Sequence, residues 1–279
     1  MTQNRPRSFN RSTSTSRRSR RGLRAFLAGW MLLLAPLAGS GATPAAGPVP
    51  LRLLVSNGVK GALDAVRAGC EAQLGVPLAA EFGTSNALRA QAESGPPFDV
   101  AFMTEEAVAA LTGHGAVVPA SRRTVARTRI GVGVRSSASA PDVSTAAAVK
   151  ATLLAAPSVT YASDGASRPS IERMFDRLGI ASQMATKIHL EQGSTRAAAR
   201  VVDGRTAVLI TLVSEIVPVT GMRLAGILPA EFQGQVTFAA GAGARSSRPE
   251  LAARAIACVT SASTERAYAS VGLERVSAK

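Results

Sequence analysis

Three loops in this sequence place small hydroxyl, amide and carboxyl side chains where a helix begins. Ser56 and Asn57 stand between the apolar run LRLLV and the helical pattern VKGALDAVRAG. Thr84 and Ser85 stand in GTSN, between VPLAAEF and ALRAQAES. Asp164, Ser167 and Arg168 stand in SDGASRPS, ahead of IERMFDRLGI. A helix N-terminus offers unpaired N–H groups and a partial positive charge of about half a unit. Hydroxyls beside it add donors without adding formal charge. That combination suits a small tetrahedral anion, because the charge stays on the ligand and neutral donors offset its desolvation. The same residues also read as plain helix caps, since Ser, Thr, Asn and Asp are the favoured N-cap types. Arg168 reads two ways as well: as a bidentate partner for a carboxylate or phosphate, or as a surface arginine beside Asp164.

Little else in the chain is arranged for chemistry. The two histidines are His114, in the turn TGHG, and His189, in KIHLE. Neither has a metal-ligand neighbour at i+4. Glu105 and Glu106 open a helix, where the dipole favours acids. No nucleophile elbow and no phosphate-binding P-loop is present. These residues point to no metal, no cofactor and no enzyme activity, and to binding instead. A secreted enzyme on the same scaffold would need His114 or His189 within hydrogen-bond reach of Ser56 or Ser85.

The elements that must position these loops follow a regular order. LRLLV (51–55), VPLAAEF (76–82) and FDVAFM (98–103) read as strands. Helical spacing of Val59, Ala62, Leu63, Val66 and Cys70 follows the first strand, and 86–94 follows the second. Thr104 caps a third helix that stops at Gly113. Strand and helix alternate, which predicts an α/β fold with a mostly parallel sheet flanked by helices. A second set begins with the alternating strand RIGVGVR (129–135), after the basic loop 121–129. It continues with a helix opened by Asp142 or Ser144, a strand at 158–162, a helix stopped by Gly179, KIHLE, a helix at 195–202 and TAVLITLV (206–213). MRLAGILP, a strand at 236–240 and two helices complete the chain. The pattern predicts two lobes, with crossings near Arg127–Ile130 and Val217–Arg223.

The first 42 residues have a different character. They hold eight arginines and no acid, then AFLAGWMLLLAPLAG and a run of small residues. This is the layout of a signal peptide cleaved near Ala42, and SRRGLR resembles a twin-arginine motif. The alternative is an uncleaved anchor, for which the apolar run is short. Of 32 Lys and Arg residues, eight lie in this segment, while all 18 acids lie beyond it, so the net charge falls from +14 to +6. No basic stripe remains for nucleic acid. The only tryptophan, Trp30, is in the leader. Tyr161, Tyr268 and six phenylalanines are too few for an aromatic platform. Cys70 and Cys258 are the only cysteines. In an exported chain they read as a disulfide, or as two buried thiols.

Several stretches, in order, resemble the extracellular solute-binding proteins of the molybdate-binding type: VSNGVKGAL, FGTSNALRAQAESGPPFDVAFMT, RIGVGVR with APDVST, LLAAPSVTYASDGA, FDRLGI, TLVSEI and GILPAEFQ. The similarity runs from about Leu51 to Leu273. It implies a two-lobed type II periplasmic-binding fold, with lobe 1 from 48–128 plus 222–279 and lobe 2 from 129–221. It also implies a periplasmic or secreted monomer that captures a small anion and delivers it to the permease of an ABC importer. A ligand sensor for a membrane receptor is the alternative within the same class. Carried over by position, Ser56 and Ser85 supply hydroxyls, and 164–168 supplies amides. The tyrosine that molybdate binders carry at the end of the second lobe is replaced here by Thr211 or Leu212. That departure leaves a small organic anion beside an oxyanion as the ligand.

Overall fold

The computed structural model describes residues 47–276. The expected signal segment lies outside the described residues. The chain begins with β1 (Leu51–Ser56), α1 (Asn57–Leu74), β2 (Leu78–Gly83), α2 (Ser85–Ser94), β3 (Val100–Thr104), α3 (Glu105–Gly113) and β4 (Arg123–Thr128). It continues through β5 (Ile130–Arg135), α4 (Ala146–Ala155), β6 (Val159–Ala162), α5 (Arg168–Arg177), α6 (Ala181–Ala185), β7 (Ile188–Glu191), α7 (Ser194–Val202), β8 (Val208–Leu212) and β9 (Met222–Ile227). It closes with β10 (Val236–Ala242), α8 (Pro249–Val259), α9 (Glu265–Ala269) and β11 (Glu274–Arg275).

Two sheets result, flanked by helices and forming two lobes. The first has the order β11-β4-β10-β3-β1-β2, the second β7-β6-β8-β5-β9. In the first, β1 lies parallel to both β2 and β3, with Ser56 opposite Gly83 and Val55 opposite Phe102. All three strands therefore end at one edge, and three helices start there. In the second, β6 is parallel to β7 and β8, with Ala162 opposite Glu191. Long apolar runs such as Leu53–Val55 and Val100–Met103 are buried because helices cover both faces of such a sheet.

The segment 123–128, expected as loop, is a strand. Exposed Arg123 and Arg127 flank the buried pair Val125 and Ala126, and β10 and β11 pair with it on either side. The helix at 146–155 is capped by Thr145, whose hydroxyl accepts from Ala148 N, rather than by Asp142 or Ser144. The Asp142 carboxylate instead accepts from Ser144 N, and the Ser144 hydroxyl first, then this N–H, hold it below its usual range.

The first crossing between the sheets is one residue long, Arg129, between β4 and β5. The return does not fall at Val217–Arg223. β9 pairs antiparallel with β5, so Met222–Ile227 stays in the second sheet and the chain returns between β9 and β10. The reason is an edge: β5 has β8 on one side and would otherwise leave its other side unpaired. Gln233 ties the two crossings together. Its Oε1 accepts from Ile130 N at 2.8 Å, and its Nε2 donates to Ile130 O and Leu228 O at 2.9 and 2.7 Å.

Cys70 on α1 and Cys258 on α8 form a disulfide, with Cα atoms 5.8 Å apart and 188 residues between them in sequence. It fastens two helices that pack on the same face of the first sheet. Closing so long a loop restricts the unfolded chain strongly. Reducing this bond is expected to lower unfolding free energy by about 2–5 kcal/mol, read from guanidinium curves with and without reductant. Superimposable curves would show that the bond contributes nothing to stability.

Candidate functional site

Because Ser56 and Gly83 are register partners, the loops after β1 and β2 leave the sheet side by side. Ser56 caps α1, its Oγ accepting from Gly58 N at 3.4 Å. Thr84 caps α2, its Oγ1 accepting from Ala87 N at 3.3 Å. Ser85 is then the first residue of α2, and its Oγ accepts from Thr104 N at 3.0 Å, tying α2 to the end of β3. Ser56 and Ser85 are each only 5 % exposed. Both oxygens act as acceptors, so each hydroxyl proton has no protein acceptor among the described residues. Two buried O–H donors stand free at one sheet edge, beside two helix N-termini.

Gly58 is required here by close approach. A Cβ at this position would meet Phe238 Cζ at 2.4 Å and Leu212 Cδ1 at 3.2 Å. The first turn of α1 is thereby wedged between a β10 side chain and a β8 side chain, one from each sheet. Leu212, where a tyrosine ligand was sought, is buried against this turn.

The second lobe meets these loops at three points. Thr84 Oγ1 donates to Asp164 Oδ2 at 2.7 Å, and Asn86 Nδ2 donates to Asp164 O at 3.3 Å. Asp164 Oδ1 accepts from Gly193 N at 2.9 Å, ahead of α7. Asn57 Nδ2 donates to Ser194 Oγ at 3.2 Å. Ser194 Oγ passes the chain on to Glu215 Oε1 at 2.8 Å, and Thr211 Oγ1 donates to Glu215 Oε2. Burial pushes the Glu215 carboxyl above the usual carboxylate range, and the Asp164 charge acts in the same direction. The hydroxyls of Thr211 and Ser194 pull it the other way.

Of the residues singled out from sequence, Ser56, Asn57, Thr84, Ser85, Asp164 and Thr211 are linked to this cleft edge by the bonds above. Ser167 is buried and precedes α5 without lending its side chain to the cap. Arg168 turns away. Its Nε donates to Glu172 Oε1 at 2.8 Å, one helical turn on, and another guanidinium nitrogen donates to Ser163 O at 2.6 Å. It is paired with Glu172 and not with Asp164, which Thr84 and Gly193 already satisfy. Tyr161 packs below, its hydroxyl pushed up to about 12 by burial and then by Glu172. His114 meets Glu93 on the surface and His189 is an exposed residue of β7, so neither bonds Ser56 or Ser85. Among the described residues no cluster of His, Cys, Asp and Glu is placed to hold a metal ion.

Sequence reasoning missed Asn86, Gly193, Ser194 and Glu215. A signal for Glu215 existed: it is an acid four residues after Thr211, at the end of an otherwise apolar strand. Its raised pKa carries a testable consequence. The folded state holds the proton more tightly than the unfolded state, so the contribution of this group to stability is greatest at low pH. It declines as pH rises from the ordinary glutamate value of 4.5 through the raised value. Glu215→Gln removes this titration, so its melting temperature should gain on the parent as pH rises above 4.5 and level off once the carboxyl has ionised in the folded state. Parallel melting curves across that range would show that Glu215 is ionised without penalty.

A family model for bacterial extracellular solute-binding proteins matches residues 51–274. An aconitate isomerase from Pseudomonas sp. is 29 % identical over 242 residues, covering 84 % of this chain and 92 % of the relative. The periplasmic molybdate-binding protein of Azotobacter vinelandii superposes with a TM-score of 0.69 at 15 % identity, covering 82 % of this chain and all of that one. A sulfate-binding protein of Mycobacterium tuberculosis H37Rv gives 0.65 at 17 %, covering 82 % and 88 %. The structural matches share the two-lobed arrangement and establish the fold. With the family match spanning both sheets and every loop of the cleft, the chain belongs to the bacterial extracellular solute-binding proteins.

Proposed function

We propose that this protein captures a small anion between its two lobes in the periplasm and hands it to the permease of an ABC importer. Lobe 1 would comprise 47–128 with the chain beyond 228, and lobe 2 the stretch 129–227, with a monomer as the working unit. The observation that carries the reading is the pair of buried hydroxyls at Ser56 and Ser85, each with a free proton beside a helix N-terminus. Neutral donors and helix dipoles hold an anion without a formal countercharge. The bonds Thr84–Asp164 and Asn57–Ser194 join the lobes at the same edge. A ligand touching both lobes would favour the closed arrangement in proportion to its contacts there. Asp164 and Glu215 stand close by, so a dianion such as molybdate meets more repulsion than a singly charged or partly protonated acid.

Catalysis is a second reading, supported by one observation. Glu215 is a half-buried carboxyl in the cleft whose pKa is raised by desolvation, the state suited to taking and returning a proton. The aconitate isomerase relative lends this reading a substrate class.

Thermal shift of the protein against sulfate, molybdate, phosphate, citrate and the two aconitates tests the first reading. A bound anion at about 100 times its Kd should stabilise by about 2.7 kcal/mol. No movement with any of these anions would sink the anion site. For the second reading, cis-aconitate is incubated with the protein and followed by proton NMR. Turnover that is lost in Glu215→Gln supports an isomerase, and an unchanged spectrum with the parent protein rejects it.

A further inference from the structure

From the Asn57–Ser194 contact a cavity of about 400 Å³ runs outward between α1 and α7. On α1 it is lined by Asn57, Lys60, Gly61 and Asp64, which share one helical face at i, i+3, i+4 and i+7. Its apolar wall is formed by Ala198, Ala199 and Val202 from α7 and by Pro218 and Val219 from the turn after β8. Asn57, Ser194, Ser214 and Glu215 meet at the inner end, and Lys60, Asp64 and Asp203 add charged groups along the rest of the lining. Ser214 is 2 % exposed, and its hydroxyl has no hydrogen-bond partner among the described residues. Buried hydroxyls are nearly always partnered, so one that is not, on a cavity wall, points to a missing partner.

The charges around the cavity do not exclude an anion. Asp64 pairs with Lys60 on the same helix, and Asp203 pairs with Arg205 at 2.9 Å. Glu215 accepts from Ser194 and Thr211, and burial favours its neutral form. Asp164, the other nearby acid, accepts from Thr84 and Gly193. Against these stand the N-termini of α1 and α7, 18 and 9 residues long, which meet at Asn57 and Ser194. Both place the positive ends of their dipoles at the inner end of the cavity. An inorganic oxyanion would fill little of this space, whereas pockets of about 300–1,000 Å³ typically hold organic ligands along apolar walls.

We propose that the solute is an organic acid whose carboxylate sits where α1 and α7 meet and accepts from the Ser214 hydroxyl, and whose hydrocarbon body lies in the cavity against Ala198, Ala199, Val202 and Pro218. The inference rests on the reading that an anion binds between the lobes, narrows its ligand class, and places its charged group at the α1–α7 junction rather than at Ser56 and Ser85, which do not line the cavity. It makes affinity depend on chain length. Each methylene buried should tighten binding by roughly three- to fourfold, up to the length that fills the cavity.

Calorimetric titration with acetate, butyrate and hexanoate, with sulfate as a compact anion and hexylammonium as a cation of matched length, tests this. The expected result is a Kd that falls at least tenfold from acetate to hexanoate. Ala199 is exposed at the cavity wall, so Ala199→Phe fills space without disturbing the core. That variant should collapse the hexanoate-to-acetate affinity ratio toward one. Ser214→Ala should weaken each carboxylate by about tenfold, the effect of losing a bond to a charged group. Sulfate binding with no chain-length dependence overturns the cavity proposal and leaves the anion site standing. A chain-length gain that survives Ala199→Phe places the hydrocarbon elsewhere and also overturns it. Preference for hexylammonium over hexanoate overturns it in favour of a cation, and silence with every probe also overturns the cavity proposal, while the anion reading stands or falls on the thermal-shift screen.

Discussion

The parallel pairing of β1 with β2 and β3 is the constraint on which the cleft depends. Parallel neighbours end at the same edge, and each must be followed by a crossover helix. Ser56, Gly83 and Thr104 therefore lie along one line, with the N-termini of α1, α2 and α3 behind them. Each start is capped by a hydroxyl: Ser56, Thr84 and Thr104. Capping and ligand binding are not rival uses of these residues. A serine oxygen that accepts from a backbone N–H still has its own proton to donate, and Ser56 and Ser85 are both in that state.

The second sheet repeats the arrangement with different chemistry. The loops after β6, β7 and β8 bring Asp164, Gly193 and Glu215 to the facing edge. Here the polar groups are carboxyls that accept from hydroxyls, and two such chains reach across the cleft. Thr84–Asp164 and Asn57–Ser194–Glu215 join the two lobes. Gln233 bridges the two crossing segments and cross-links them.

These carboxyls also decide between ligands. A cage of neutral donors is indifferent to the charge carried by a small oxyanion, but a cage with two acids is not. Asp164 is satisfied by its own donors, and Glu215 is held toward its neutral form by burial. On the proposed reading, the cleft would suit an anion of low charge, and the space between α1 and α7 would suit one with carbon attached.

Local sequence determined the elements. Apolar runs bounded by Gly, Ser and Asn located β1, β2, β3, β6 and β8, and the cap residues located the starts of α1, α2 and α3, because these preferences act within a few residues of chain. It also singled out Ser56, Asn57, Thr84, Ser85, Asp164 and Thr211. Tertiary structure alone decided their partners. Asn57 meets Ser194 across 137 residues and Thr84 meets Asp164 across 80, separations at which no periodicity operates. Packing likewise kept β9 beside β5 and turned Arg168 onto Glu172. A strand edge demands a partner wherever the chain can supply one, and a long cation takes the nearest carboxylate on its own helix. Neither outcome is written in the residues around the loop itself.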